Sequence, residues 1–574
     1  MIKIKKYFTV ETLSIILILI AGFYLRMCHA NHGFLYIYNH DGQNFIEQAL
    51  RYGKGTLEPI GLYHGPFLPY VLFIEYGFYF LINLMMGKMN SPIDLIKEYI
   101  LEPSSFFLLG GLTVVFFSVA ILFLIYLICK KYFDRRISLV AAYFTSVSFY
   151  MVYISHCIKE DIIAGFFILC SLYFALKALN NSQHFRKSLY ISALFVGIAI
   201  SVKYYSFLSF LLIIFVLVIK MKDKEIGQKL SLKLFFKCAF MTTGIFMLLN
   251  PYMVINFKGF INELTGMKGI ASMSFDSYNR PAWLLYFLFL KEGVGAPIFY
   301  LYLTSLLFIF RYRNILLCNI YPVFLYVFLS SFKAGMPYFL PSAIPFVLIS
   351  SAFLTVKLVE FFIKKKNIQF IIIFVMAILL SLSTFVVSLK YCSLIDRKDD
   401  TRTVAKKWIE SNIKENSSIL LDGVYSLNII YSPQLRENID TLKRESDEIK
   451  KSGGSGFLWE CKMKYEIFQK APAYNLYKVR LISREDIEKY KTDYVVLSSY
   501  DMPSICSEVS LERGYLKEGY VFLKKISSDA CIRFFPSFES LYHGAFEDIE
   551  KFNFKSLSKV GNYGPVIEIY KKIK

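Results

Sequence analysis

The chain has 574 residues, 55% hydrophobic and 18% aromatic, with a mean hydropathy of +0.46 and a formal charge of +21. Soluble domains rarely carry so much apolar mass in runs long enough to span hydrocarbon, so the composition excludes an ordinary soluble fold and points to an integral membrane protein. The positive charge excludes no class by itself, but its lysines and arginines fall in short clusters between apolar runs, which is the pattern of membrane-flanking loops and not of a nucleic-acid surface.

Lys3, Lys5 and Lys6 precede the first apolar run, and no small-residue cleavage site follows them, so the start reads as a retained signal anchor. Apolar runs then occur at about 9–28, 67–87, 105–129, 137–154, 161–179, 188–202, 204–219, 233–250, 294–310, 314–331, 337–360 and 367–390. Basic clusters interrupt them at Lys130/Lys131/Arg135/Arg136, Arg186/Lys187, Lys220/Lys222/Lys224/Lys229, Arg311/Arg313 and Lys364/Lys365/Lys366. If every cluster is cytoplasmic, the spans between clusters come in pairs. The first interval holds three runs, so one of them does not cross.

The run 67–87 is the candidate, because it carries Glu75, Asn83, Pro69 and Gly77 with a row of tyrosines at Tyr70, Tyr76 and Tyr79. Tyrosines of this kind suit an interface, ring in apolar surroundings and hydroxyl in water. The expected fold is a polytopic α-helical membrane protein of about 11–12 transmembrane helices in residues 1–390, with a large first outer loop at 29–104 and another at 251–293. On this count Asp41, His64, His156, Glu160, Asp161, Lys203 and Arg280 all fall on the outer face.

From about residue 391 the composition becomes mixed and charged. Thr403–Ile413 reads as an amphipathic helix, Ser418–Leu421 as a strand, Ser483–Lys491 as a capped helix, and Tyr494–Leu497 and Val566–Tyr570 as strands. Residues 391–574 are therefore expected to form a soluble extracytoplasmic α/β domain large enough to own a core. Ser452–Gly456 is a flexible loop inside it. The ten cysteines show no metal-type spacing; Cys461, Cys506 and Cys531 lie in the tail without a deducible pairing.

Asp41 is the leading candidate for chemistry: a carboxylate just past a membrane anchor is costly without a purpose, and it can act as general base toward an incoming hydroxyl. The plainer reading is an Asx turn with Gly42. His64 could donate to a phosphate or ligate a metal, or simply end a turn before Pro66. His156, Lys159, Glu160 and Asp161 sit at the mouth of a span, where carboxylates also favour a helix N-terminus on ordinary grounds.

Lys203 is sharper, an ammonium with almost no loop around it between two apolar spans. It either snorkels or supplies a phosphate-binding charge at headgroup depth, with Arg280 as a second, bidentate contact. The histidines with Asp41 and Glu160 could hold a divalent ion, although no ligand spacing is diagnostic.

These residues resemble the GT-C superfamily of membrane glycosyltransferases, in particular the family 39 and dolichyl-phosphate-mannose protein mannosyltransferase-like proteins and the bacterial aminoarabinose transferases. The resemblance rests on a span followed by Asp41, on Tyr63-His64-Gly65-Pro66 leading into an aromatic helix, and on Ser155–Phe174 with its acidic start. It continues through Gly197–Lys203, Pro337-Tyr338-Phe339-Leu340-Pro341 with Pro345, and Asp400-Thr401-Arg402 through Ile413. It implies transfer of a sugar from a polyprenyl-phosphate carrier to an extracytoplasmic acceptor, which could be protein, lipid or polysaccharide.

By that likeness Asp41 is the catalytic base and Lys203 a contact to the carrier phosphate, while His64 stands where some relatives carry a lysine. Two departures stand out. Many members have Asp-Glu where this chain has Asp41-Gly42, and many carry Arg-Tyr where this chain has Pro337-Tyr338. The rival class is a transporter or flippase of a lipid-linked sugar, against which stand charges gathered at the rim and the lack of a visible repeat.

Overall fold

The computed structural model describes residues 10–28, 40–59, 61–62, 64–272, 281–333, 337–394, 401–422, 435–451, 473–479, 482–499, 519–526 and 566–573, with 464, 514 and 516. The apolar runs fold as helices because a backbone in hydrocarbon must pair every N–H and C=O within its own segment. In chain order they are α1 (Val10–Met27), α2 (His40–Tyr52), α3 (Phe67–Met85), α4 (Pro92–Leu101), α5 (Ser104–Tyr132), α6 (Arg135–Val147), α7 (Phe149–Ser155), α8 (Asp161–Asn180) and α9 (Phe185–Val202). There follow α10 (Leu211–Lys222), α11 (Gln228–Leu249), α12 (Pro251–Ile255), α13 (Phe257–Ser272), α14 (Ala282–Val294), α15 (Ala296–Ser305), α16 (Arg313–Ser330), α17 (Ile344–Phe362) and α18 (Lys366–Leu394).

Among the described residues ten helices are long and apolar enough to cross a membrane, and the number reaches 12 if each of two bent pairs is one span. The twelve apolar runs of the sequence correspond to these elements one for one, so the protein is a multi-pass helical membrane protein. The bent pairs are α6 with α7, turning 54°, and α14 with α15, turning 118°. The second turn pivots on Gly295, whose φ of +91° lies where an L side chain is strained. Its first arm, α14, falls inside the long 251–293 segment expected to be loop, because Lys291 and Glu292 interrupt its apolar pattern.

The run 67–87, expected to be interfacial, is the continuous helix α3, which has the length and apolarity of a span. Its polar groups turn to protein partners: Tyr76 donates to the Phe106 carbonyl at 3.2 Å, Tyr79 to Glu98 at 2.6 Å and Asn83 to the Tyr79 carbonyl at 2.9 Å. Glu75 accepts from Thr113 of α5. Ile74, Phe78, Ile82 and Met85 are exposed on another side.

At the α6–α7 break, Ser148 is extended (φ −60°, ψ 120°), which strands the last carbonyls of α6. Arg26 of α1 takes them: its guanidinium donates to the Thr145 carbonyl at 2.9 Å and the Ser146 carbonyl at 3.0 Å, and also to Ser118 at 2.7 Å. Phe149 N–H finds Thr384 of α18 instead, at 2.8 Å. The bend is therefore fastened by α1, α5 and α18 together.

Beyond the spans, α19 (Thr401–Asn412), α20 (Ile439–Lys451) and the helix Arg484–Tyr490 accompany a five-stranded sheet. The strands are β1 (Ser418–Asp422), β2 (Asn475–Val479), β3 (Tyr494–Ser499), β4 (Tyr520–Ile526) and β5 (Val566–Lys572). Their order is β2-β1-β3-β5-β4, with β1 parallel to β2 and β3, and β5 antiparallel to β3 and β4.

Both faces of β1 and β3 are buried, which is why these strands read as apolar runs, whereas the edge strand β4 is exposed over Val521–Lys525. Ile419, Leu421 and Val496 pack with Ala405 and Ile409 of α19, while Leu420, Val495 and Leu497 pack with Ile482 and Ile487. The elements expected at 403–413, 418–421, 483–491, 494–497 and 566–570 all form. The loop Ser452–Gly456 and Cys461, Cys506 and Cys531 lie outside the described residues.

Candidate functional site

An apolar cluster brings four pieces of chain to one place. Phe45, Ile46 and Ala49 of α2, Leu68, Leu72 and Tyr76 of α3, Ile163 and Ala164 at the start of α8 and Val202 at the end of α9 are buried together with Ile158. The turn before α3 presses closely on the end of α9: a Cβ on Gly65 would run into the carbonyl oxygens of Ser201 and Val202. Only glycine allows that approach, and it sets His64 beside Lys203.

There, Glu160 holds two partners on one oxygen. His64 Nδ1 and Lys203 Nζ each lie 2.8 Å from Glu160 Oε1. Lys203 Nζ is also 3.4 Å from Asp161 Oδ1, which accepts from the Tyr205 hydroxyl at 2.7 Å. Glu160, Asp161 and Tyr205 are buried, and Lys203 nearly so. Burial alone would raise the Glu160 carboxyl, but the charges and hydrogen bonds of Lys203 and His64 override it and hold the group well below the usual carboxylate range. The two acids also sit at the N-terminus of α8, where the helix field favours negative charge.

Tyr204 braces the cluster, its hydroxyl 2.6 Å from the Leu62 carbonyl. Glu263 of α13 accepts from Leu62 N–H at 2.5 Å, so the long segment after α11 reaches the same turn. On the other side, the 3₁₀ turn Pro337–Phe339 carries Tyr338, whose ring centroid lies 4.3 Å from Lys159 Nζ and 6.0 Å from Lys203 Nζ.

The structure thus brings His64, Glu160, Asp161 and Lys203 together, with Lys159 beside them, and adds Tyr204, Tyr205 and Tyr338. The Tyr204-Tyr205 pair directly after Lys203 was the sequence signal for two of these; nothing in the sequence paired Tyr338 with Lys159. His156 does not join through its ring nitrogens, which face backbone carbonyls: Nδ1 is 2.8 Å from Val152 O and Nε2 is 2.9 Å from Cys28 O. That contact ties the end of α1 to α7.

Asp41 lies in the first turn of α2, and its side chain is outside the described residues, as is Arg280. The backbone places the start of α2 nonetheless. A Cβ on Gly42 would be 3.3 Å from Ile158, two residues before Glu160, and Phe45 meets the His64 ring edge-on with centroids 5.2 Å apart. Among the described residues no group of three or more His, Cys, Asp or Glu is placed to hold a metal ion.

Residues 110–249, which carry Glu160, Asp161 and Lys203, match the family described as dolichyl-phosphate-mannose-protein mannosyltransferase. Over that stretch the chain is similar to that family. No curated protein sequence matches the chain. Among solved structures, ArnT from Cupriavidus metallidurans bound to undecaprenyl phosphate is 12% identical, with 97% of each chain covered and a TM-score of 0.45.

ArnT in the apo state is 15% identical with a TM-score of 0.43, covering 60% of this chain and 59% of that one. The Archaeoglobus fulgidus oligosaccharyltransferase complex with Zn and sulfate is 12% identical with a TM-score of 0.41, covering 71% of this chain and 60% of that one. In these last two comparisons the chain spans less than two thirds of the other protein's length.

Proposed function

We propose that the chain transfers a sugar from a polyprenyl-phosphate carrier to an acceptor hydroxyl on the extracytoplasmic face of the cell membrane. One observation carries this reading: an ammonium, two buried carboxylates and a histidine from three separate stretches of chain meet where membrane-length helices end, within reach of the helix that Asp41 opens. Intramembrane and rim charges of this kind are kept for function. The family match over residues 110–249 supports the donor class.

In the proposed reaction the lipid tail lies among the spans and its phosphate meets the cations beside Tyr338, with Arg280 as a further sequence-level candidate. Asp41 takes the proton of the acceptor hydroxyl. The acceptor oxygen then attacks the anomeric carbon as the bond from that carbon to the carrier phosphate breaks, so the sugar configuration inverts and a polyprenyl phosphate leaves. The departing oxygen gains charge, and fixed cations around it supply the largest share of the rate enhancement. His64, oriented by Glu160, serves the same headgroup region. Residues 391–574 form the acceptor-side domain, whose partner is a protein, lipid or polysaccharide.

The test is Asp41→Asn. It should lower transfer from a labelled polyprenyl-phosphate sugar by about 100-fold or more, the contribution of a general base, while binding of that donor changes only a few-fold. Near-normal turnover would remove Asp41 from the mechanism.

A further inference from the structure

Two cysteines from opposite ends of the membrane-spanning sequence meet in the folded chain. Cys28 directly follows α1, and Cys392 lies in the last turn of α18. Both are thiols, and their side chains hydrogen-bond to one another. Cys392 also donates to the Leu25 carbonyl at 3.4 Å, and the Arg26 guanidinium acts on it electrostatically.

The corner is braced from a third side. His156 Nε2 is 2.9 Å from the Cys28 carbonyl oxygen, and its ring meets that of Tyr391 edge-on with centroids 5.5 Å apart. Tyr391 packs in turn on Phe149 and Tyr153 of α7. Backbone beside each thiol is thus held against the same short helix, and a bond between two sulfurs needs such backbones already close.

Sidedness decides whether the pair oxidises. Glu11 in the first turn of α1 pairs with Lys130 at 2.6 Å and Arg135 at 3.4 Å, and Gln369 in the first turn of α18 accepts from Arg136 at 2.9 Å. Both helices therefore start at one basic cluster and end on the opposite side, which charge bias makes the outer one. Disulfides form and persist on that side of a membrane.

We propose that Cys28 and Cys392 join in a disulfide that staples α1 to α18, the helix that precedes the α/β region. This rests on the extracytoplasmic placement of those two helix ends. Cys28, the more exposed of the two, attacks as thiolate the disulfide of an extracytoplasmic dithiol–disulfide oxidant, releasing one of its sulfurs. Cys392 then attacks Cys28 Sγ and releases the second. Two protons and two electrons pass to the oxidant, which leaves as a dithiol. The new bond replaces the hydrogen bond between the thiols, and the Leu25 carbonyl loses its Cys392 donor. It fixes the roots of the segments that lead to α2 and to α19.

Membranes from expressing bacteria are denatured in N-ethylmaleimide and digested without reductant, and linked peptides are read by mass spectrometry. A peptide pair joining Cys28 to Cys392 should appear and should vanish after dithiothreitol. Cys28→Ser should leave the Cys392 peptide carrying maleimide. Reduction should lower the thermal midpoint of the wild type but not of Cys28→Ser or Cys392→Ser. Purified, reduced chain is treated in parallel with oxidised glutathione.

A link that glutathione forms but cells do not overturns the extracytoplasmic placement, and the proposal with it. Maleimide on both cysteines in cells and again after glutathione overturns the pairing alone.

Discussion

Glu160 concentrates the electrostatics of the cluster in one carboxyl. Because Lys203 and His64 hold its ionised form despite burial, its folded-state acidity is greater than that of an unfolded carboxylate, so the stability it contributes is present above the ordinary carboxylate range and is lost as pH falls below it. Lys203→Met should cost about 3 kcal/mol or more, since it leaves two buried acids side by side without their ammonium. Adding Glu160→Gln to that variant should recover part of the loss, and a double-mutant cycle by thermal unfolding reads the coupling; strictly additive effects would mean that the two side chains do not work as a pair.

The individual residues were legible in the sequence, but their pairings were not. Lys203 stands out as an ammonium with almost no loop around it between two apolar runs, whereas its bond to Glu160 joins residues 43 apart and His64 reaches Glu160 across 96. His156 looked like a site residue by position alone, and the backbone carbonyls of Val152 and Cys28 claim its ring.

Helices carry the same lesson at the next scale. The broken α6–α7 pair depends on Arg26, a fully buried guanidinium whose donors meet carbonyls that the bend strands. Arg26→Met should destabilise the chain by about 2 kcal/mol or more, because each orphaned buried carbonyl costs about 1–3 kcal/mol. Thermal unfolding in detergent checks this, and an unchanged midpoint would mean that the bend holds without it. Sequence reading passed over Arg26 because a basic residue in the last turn of a span is ordinary.

The α14 segment was missed for the opposite reason: Lys291 and Glu292 break its pattern, and they are 3.2 Å apart in the folded chain. In the α/β region, burial would raise Glu437, but Lys464 and Lys478 draw it down to about 2 from an ordinary 4.5. Its contribution is therefore complete above about pH 4.5 and lost as pH falls through about 2. Hydrogen exchange along Asn475–Val479, corrected for the intrinsic rate, should quicken on acidification, and Glu437→Gln should flatten that response.

At the scale of the whole molecule, hydropathy alone marked the ten membrane-length helices of the described residues and at least one arm of each bent pair, because hydrocarbon admits only self-paired backbone. Helix α3 has the length and apolarity of a span, and its tyrosines, Glu75 and Asn83, which read as interfacial, turn to α5, α4 and its own backbone. The sheet order β2-β1-β3-β5-β4 lay beyond a sequence reading, since strand pairing joins segments as far apart as β1 and β2.

As proposed, this chain breaks the bond between a sugar and its lipid phosphate, and does not simply carry the intact lipid across. Proteoliposomes holding a polyprenyl-phosphate sugar labelled in the sugar, supplied with membrane acceptors, test this directly. The label should leave the carrier, and free polyprenyl phosphate should appear, only when the protein is present. Label that changes leaflet while still joined to its lipid would contradict the proposal.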